Sequence, residues 1–244
     1  MPETALPKSW NKESKPHKFC PGCGQALALK ILGAAIDELQ IQEKMIYATD
    51  IGCSLLSWSM FDVDTIQTHH GRTLPLSVGF KKAKPEAIVL SFTGDGGGYA
   101  IGAQHLLNTA MRNDPITVIL INNANYAMTG GQLAPTTLMG QKTTTAPGGR
   151  GVVQGKPFKG PEMLAQITNE DAYIARGISS NYKQLLEMYK KAINNQIEGR
   201  GFSFVEVIAM CPVNWHTNAQ ESLDFSEKEM TKIYPIGEIK CPQK

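Results

Sequence analysis

Two groups of residues in this chain have the types and spacing to do chemistry. The first is Gly94-Asp95-Gly96-Gly97-Gly98, and Asn123, the second residue of Asn122-Asn123, stands 28 positions after the aspartate. Glycines let a backbone close on a phosphate, and a helix N-terminus offers that phosphate free N–H groups. An aspartate inside such a loop repels bare phosphate unless a cation lies between them. Mg²⁺ takes hard oxygen ligands and bridges carboxylate to phosphate. If the strands before Asp95 and Asn122 are neighbours, Asp95 and Asn123 emerge on one sheet edge and can share the ion. The backbone carbonyl of Asn125 is the third candidate ligand. The bland alternative is a glycine turn and a strand capped by two asparagines. A dinucleotide-binding loop is the sharper competitor, but it needs glycine where Tyr99 stands and an acid where Asn122-Asn123 stand.

The second group is the cysteines. Cys20-Pro21-Gly22-Cys23 is a tight turn with two thiols, Cys53 follows a predicted strand, and Cys211 follows another. Four thiolates can hold a [4Fe–4S] cluster or tetrahedral zinc. A thioredoxin-like redox turn needs an apolar strand before it, and residues 13–18 are polar. Cys53 and Cys211 could also be plain buried thiols. Cys241 looks spare, in a frayed tail. Five cysteines, an odd count, argue against a disulfide framework.

Elements must position these residues. Residues 25–39 place Ala28, Ile31, Leu32, Ala35, Ile36 and Leu39 on one helical face. Strands are expected over 45–49, 65–68, 87–93, 116–121, 173–175 and 202–209. Helices are expected over 100–111, 161–167, 182–197 and 226–234. The stretch 126–160 has no period and is rich in Gly, Thr, Pro and Gln, and a loop this long is usually functional or disordered. Alternating strands and helices imply an α/β fold with a mostly parallel central sheet covered on both faces. Residues 1–22 read as an extended arm carrying Cys20, the first candidate cluster ligand, and residues 23–244 as one domain.

The chain's 244 residues suit one such domain, and a hydrophobic share of 42% is enough for a core. The 24 basic and 22 acidic residues leave a net charge of +2, which favours neither nucleic acid nor an anionic membrane surface. The longest apolar runs, 87–92 and 116–121, are strand-sized, far below the roughly 20 residues of a membrane span. The polar N-terminus lacks a signal-peptide centre, so the expected compartment is cytoplasmic.

Gly-Asp-Gly followed by Asn-Asn at this interval resembles the diphosphate half of thiamine-dependent enzymes. Further motifs in order make the chain similar to the β subunit of 2-oxoacid:ferredoxin oxidoreductases. They are Cys20-Pro-Gly-Cys-Gly24, Ile51-Gly-Cys-Ser54, His70-Gly-Arg-Thr-Leu-Pro75, Thr93-Gly-Asp-Gly96, Asn122-Asn123, Tyr126, Thr129-Gly-Gly-Gln132, Pro135-Thr-Thr137 and Cys211-Pro212. The resemblance implies a three-layer thiamine-diphosphate-binding fold. It implies a [4Fe–4S] cluster on Cys20, Cys23, Cys53 and Cys211, and Mg²⁺ on Asp95, Asn123 and the Asn125 carbonyl. Gly52, Cys53, Ser54, His70, Gly71, Arg72, Gly94, Asp95, Gly96, Gly97, Asn123, Asn125, Tyr126 and Thr129 would bind thiamine diphosphate. Arg72 suits an anionic group because its fork pairs bidentately with phosphate or carboxylate; the alternative is a structural or solvated ion pair.

The implied activity is oxidative decarboxylation of a 2-oxoacid to acyl-CoA and CO₂ in anaerobic metabolism, with electrons passing through the cluster to ferredoxin. The implied partners are an α subunit with the pyrimidine-binding domain and its activating glutamate, together with γ and ferredoxin-like subunits. No catalytic side chain is assigned to this chain, and alone it should be inactive. Residues 131–145 resemble the branched-chain (2-ketoisovalerate) and 2-oxoglutarate members; the branched-chain class is favoured, with 2-oxoglutarate or pyruvate as alternatives. Arg150 and Lys142 could meet a second substrate carboxylate or be solvated loop charges. A redox-free thiamine lyase would not need the four cysteines, and an iron–sulfur or zinc assembly module would not need Asp95.

Overall fold

A computed structural model describes residues 5–242 of the chain. In order its elements are α1 (Gly24–Leu39), β1 (Met45–Thr49), β2 (Asp64–Gln67), α2 (Thr73–Ala83), β3 (Ile88–Gly94), α3 (Ala103–Met111), β4 (Thr117–Asn122), α4 (Gly160–Ile167), β5 (Tyr173–Ile178), α5 (Tyr182–Ile197), β6 (Ser203–Ile208), α6 (Pro212–Trp215), α7 (Ala219–Asp224), α8 (Thr231–Ile233) and β7 (Gly237–Lys240). The strands form one seven-stranded sheet in the order β2-β1-β3-β4-β6-β5-β7. Every pair is parallel except β5 with β7.

The central strands are apolar on both faces because both faces are covered. Along β4, Ile119 and Ile121 pack with α1 and α5, while Val118 and Leu120 pack toward α2, α3 and α4. Successive strand side chains point to opposite faces, so one run of valines and isoleucines fills two cores. The chain leaves β1 for β2 on one side and returns to β3 on the other. Such a reversal opens a crevice beyond the strand ends.

The expected helix over 182–197 and strand over 45–49 match α5 and β1 in their bounds. The expected helix over 100–111 begins instead with a π-helical turn, Gly97–Ile101, before α3. The expected helix over 226–234 is likewise a π-helical turn (Phe225–Met230) running into α8, with α7 ending just before it. Helix α2 carries Pro75 and Gly79, which mask its period, yet Pro75 sits in the first turn, where its missing N–H is not needed. Cys241 does not sit in a frayed tail: β7 just before it pairs with β5, and its thiol lies 3.3 Å from Glu238 Oε2.

The first four residues of the expected arm lie outside the described residues. The rest of 1–22 is a strap and not a free extended arm. The N–H groups of Lys8 and Ser9 donate to the Asp37 carboxylate on α1, Trp10 packs on Phe61, and Phe19 is buried.

Candidate functional site

The site is built where β1, β3, β4 and β6 end. In the parallel pairing of β3 with β4, Gly94 stands opposite Ile121. Asp95 and Asn123 therefore leave one sheet edge side by side. Asp95 is buried, one oxygen accepting the Gly96 N–H at 2.8 Å and the other the Thr136 hydroxyl. Burial pushes its carboxyl up to about 7, against the pull of those two bonds and with a further push from Glu206. Asn123 is buried too, and its Oδ1 accepts no hydrogen bond. A buried carboxylate beside a buried, unpartnered amide oxygen needs a cation or another donor. That donor set fits Mg²⁺.

Glycine is required in the loop for space. A Cβ on Gly96 would stand 2.1 Å from the Tyr126 ring, and one on Gly97 would stand 1.8 Å from Asp50 Oδ2. One cavity is lined by Gly52, Cys53, Ser54, His70, Gly94, Asp95, Gly96, Gly97, Asn123, Asn125, Tyr126 and Thr129. These are all the expected cofactor contacts except two.

The two exceptions are Gly71 and Arg72. Gly71 has φ +64°, packs on the Gly102 backbone, and gives its N–H to Asp50 Oδ1 at 2.9 Å. Arg72 is exposed outside the cavity, and its Nη1 lies 3.3 Å from the Ile101 carbonyl. Both belong to the turn that carries His70, which Asp50 ties through the Gly71 N–H. Sequence reading missed Asp50. It is fully buried and also accepts the Thr93 hydroxyl at 2.7 Å and the Ile51 N–H at 2.9 Å. Burial raises its carboxyl, and these bonds oppose the rise. Its place beside Gly52-Cys53 was the available signal.

The thiols come from three segments of the chain. Burial and the neighbouring thiols raise Cys53 to about 12, with Cys23, Cys211 and Cys20 all acting on it. Burial likewise raises Cys23 to about 11, against two backbone N–H groups at the start of α1. Cys211 is raised by burial, and its thiol reaches Asn125 Oδ1 at 4.0 Å, next to the Asp95 site. Four gathered thiols are the donor chemistry of an iron–sulfur cluster. They are not arranged as a closed ligand set: among the described residues no three His, Cys, Asp or Glu side chains form one.

The long loop is ordered around Arg150, which is buried. Its guanidinium donates to the carbonyls of Ala134, Pro135, Thr137, Gln154, Gly155 and Lys156. It has no capacity left for a substrate carboxylate, so the expected alternative role falls. Lys142 is exposed and does not line the cavity. Behind the site, fully buried Arg176 pairs with Glu206 and Glu162, both at 2.6 Å. Glu206 also accepts from Tyr99 and, at 3.3 Å, from Asn122.

Comparison with known proteins agrees with this geometry. Residues 50–207 match the family "Thiamine pyrophosphate enzyme, C-terminal TPP binding domain". The chain is 35% identical to ketoisovalerate oxidoreductase subunit VorA of Methanothermobacter marburgensis over 222 residues, 89% of this chain and 46% of that protein. It thus spans about half the length of that relative. It is 38% identical to 2-oxoglutarate synthase subunit KorB of Methanocaldococcus jannaschii over 206 residues, 84% of this chain and 73% of that one. A solved structure of 2-oxoglutarate:ferredoxin oxidoreductase from Magnetococcus marinus superposes with a TM-score of 0.83 at 25% identity, covering 99% of this chain and 87% of that one. The chain therefore belongs to the thiamine pyrophosphate enzymes, through their C-terminal TPP-binding domain, and among them to the β subunits of the 2-oxoacid:ferredoxin oxidoreductase family.

Proposed function

We propose that this chain holds thiamine diphosphate through Mg²⁺ as the β subunit of a complex that oxidises a 2-oxoacid to acyl-CoA and CO₂ and passes the electrons to ferredoxin. The observation that carries this is the pair at the ends of β3 and β4, buried Asp95 beside the unpartnered Asn123 Oδ1. Asp95, Asn123 and the Asn125 carbonyl are the proposed Mg²⁺ ligands. Cys20, Cys23, Cys53 and Cys211 are the proposed ligands of a [4Fe–4S] cluster, a reading supported by the motifs that carry them and by their thiol chemistry. Bound thiamine diphosphate supplies the electron sink for decarboxylation, and a cluster supplies one-electron steps.

The chain's own residues bind and orient. The glycine loop takes the diphosphate, Asp50 holds the His70 turn, and Thr136 fixes the Asp95 carboxylate. An α subunit with the pyrimidine-binding domain is the proposed partner, with γ and ferredoxin-like subunits beside it. The substrate class favoured is branched-chain, such as 2-ketoisovalerate. The cavity wall carries no lysine or arginine among the described residues, and Arg150 is committed to the loop, so this chain offers no cation to the second carboxylate of 2-oxoglutarate.

The test is to purify the chain with its co-expressed partners under nitrogen, then record the visible spectrum, metal content and 2-oxoacid oxidation. Absorbance near about 400 nm that bleaches on reduction, with about four iron per chain, is expected for [4Fe–4S]. A colourless complex with one zinc would remove the electron-transfer role. No helix among the described residues is long and apolar enough to cross a membrane.

A further inference from the structure

Glu206 is fully buried in the middle of the sheet, opposite Leu120 of β4 and Arg176 of β5. A carboxylate there is costly unless its oxygens are bonded. Arg176 donates to it through Nε at 2.6 Å, yet Arg176 already has a second carboxylate, Glu162, held at 2.8 and 2.6 Å. The remaining bonds to Glu206 come from the two loops of the cofactor site. The Tyr99 hydroxyl arrives from the π-helical turn that follows the diphosphate loop, and Asn122 Nδ2 arrives from the end of β4 at 3.3 Å. Neither side chain lines the cavity. The other end of the Asn122 amide holds backbone: its Oδ1 accepts the Ala124 N–H at 3.2 Å. Ala124 has φ +56°, in the left-handed region that a residue with a Cβ rarely adopts. This turn lies between Asn123 and Asn125 and so sets where the Asn123 amide and the Asn125 carbonyl point. The same Ala124 N–H also faces the Asp95 carboxylate.

We propose that Glu206 is a positioning residue for the Mg²⁺ site, an inference that rests on the function proposed above. Through Asn122 it keeps the Ala124 turn left-handed, and through Tyr99 it fixes the chain that follows Asp95. One acid outside the cavity thus sets the separation between the two sides of the site. A carboxylate suits this place because it only accepts, and the three groups that face it all donate. Asn122 suits its own place because an amide both donates, to Glu206, and accepts, from Ala124. With its N–H bonded to Asn122, Ala124 leaves the Asp95 oxygens more free for a cation.

The experiment uses the assembled complex. Tyr99→Phe and Asn122→Ala cut the two arms singly and leave the Arg176–Glu206 pair in place. Mg²⁺ affinity is measured by calorimetry with thiamine diphosphate present. The electron paramagnetic resonance spectrum of Mn²⁺, bound in place of Mg²⁺, reports the geometry of the site. The dissociation constant of Mg²⁺ is expected to rise about tenfold in Asn122→Ala and about threefold in Tyr99→Phe, as for single lost hydrogen bonds. The Mn²⁺ spectrum should change in both. Adding Ala124→Gly to Asn122→Ala should restore most of the affinity and the wild-type spectrum, because glycine adopts the left-handed turn without help. A purely structural role for Asn122 would gain nothing from that second change. Wild-type affinity and spectrum in both single variants overturn the inference, and so does a loss in Asn122→Ala that Ala124→Gly does not relieve. If Asn122→Ala does not assemble, hydrogen exchange at the Ala124 amide of the metal-free wild-type complex decides: slow exchange is expected, and exchange as fast as in an open loop overturns the inference. A wild-type complex that binds no Mn²⁺ with thiamine diphosphate overturns the proposed function, and the Glu206 role with it.

Discussion

The carboxylate of Asp50, at the end of β1, accepts the backbone N–H of Gly71 at 2.9 Å while Gly97 of the diphosphate loop lies against its other oxygen. One buried acid thus sets the spacing between two of the cavity's walls. Asp50→Ala would leave the Gly71 N–H and the Thr93 hydroxyl unpaired and cost about 3 kcal/mol. Urea unfolding should show this loss. Gly97→Ala should be worse for binding than for folding, because the new Cβ must displace the Asp50 carboxylate. Calorimetry with thiamine diphosphate and Mg²⁺ would separate the two effects.

Removing the Asp95 carboxyl should affect the ligand far more than the fold. Asp95→Ala is expected to abolish Mg²⁺-dependent thiamine diphosphate binding in the assembled complex and to lower the thermal midpoint of the cofactor-free protein only modestly, because relief of the buried carboxyl offsets part of the loss of its bonds to Gly96 and Thr136. It deletes a carboxyl that burial already disfavours as an anion. Chelation of the wild-type complex should release thiamine diphosphate in the same way. Retention of thiamine by Asp95→Ala would refute the metal assignment.

Arg150 joins residues 134–137 to residues 154–156 through carbonyls alone. Arg150→Ala should cost about 2–4 kcal/mol of loop stability, and Arg150→Lys should recover little, since an ammonium cannot reproduce the planar fork. Hydrogen exchange of residues 134–156 would rise sharply in both variants. Unchanged protection would show that the loop is held by other contacts.

Glu162 gives the site's supporting network a pH dependence. Burial pushes its carboxyl up, but the Arg176 hydrogen bonds and charge outweigh burial and hold it below its ordinary value of 4.5. The folded chain then binds fewer protons at Glu162 than the unfolded chain does, so the stabilisation is present above about pH 4.5 and is lost as pH falls through the lowered value. Glu162→Gln should therefore melt earlier than wild type at neutral pH, with the gap closing as pH falls below the ordinary value of 4.5. A gap independent of pH would assign the effect to packing.

Much of the site was legible before folding was considered. The apolar runs of β3 and β4 bury both faces, so their polar ends, Asp95 and Asn123, could only emerge at the sheet edge. The period of residues 182–197 marked α5 because its buried face repeats with the helical turn. Cys20, Cys23, Cys53 and Cys211 were singled out by motif order, yet among the described residues they form no closed ligand set. Other roles depended on where backbone groups go, which residue type does not reveal. Arg150 reads as a free loop charge until six carbonyls are seen to close on it. Gly71 and Arg72 read as cofactor contacts, whereas the structure ties the Gly71 N–H to Asp50 and leaves both outside the cavity lining. Asn122 and Asn123 are adjacent and of one type; only packing shows that the Asn122 amide is bonded to the protein while the Asn123 oxygen is not. Local pattern determined which residues reach the sheet's carboxyl edge, whereas the tertiary structure alone decided which of them are already bonded to the protein and which keep capacity for a ligand.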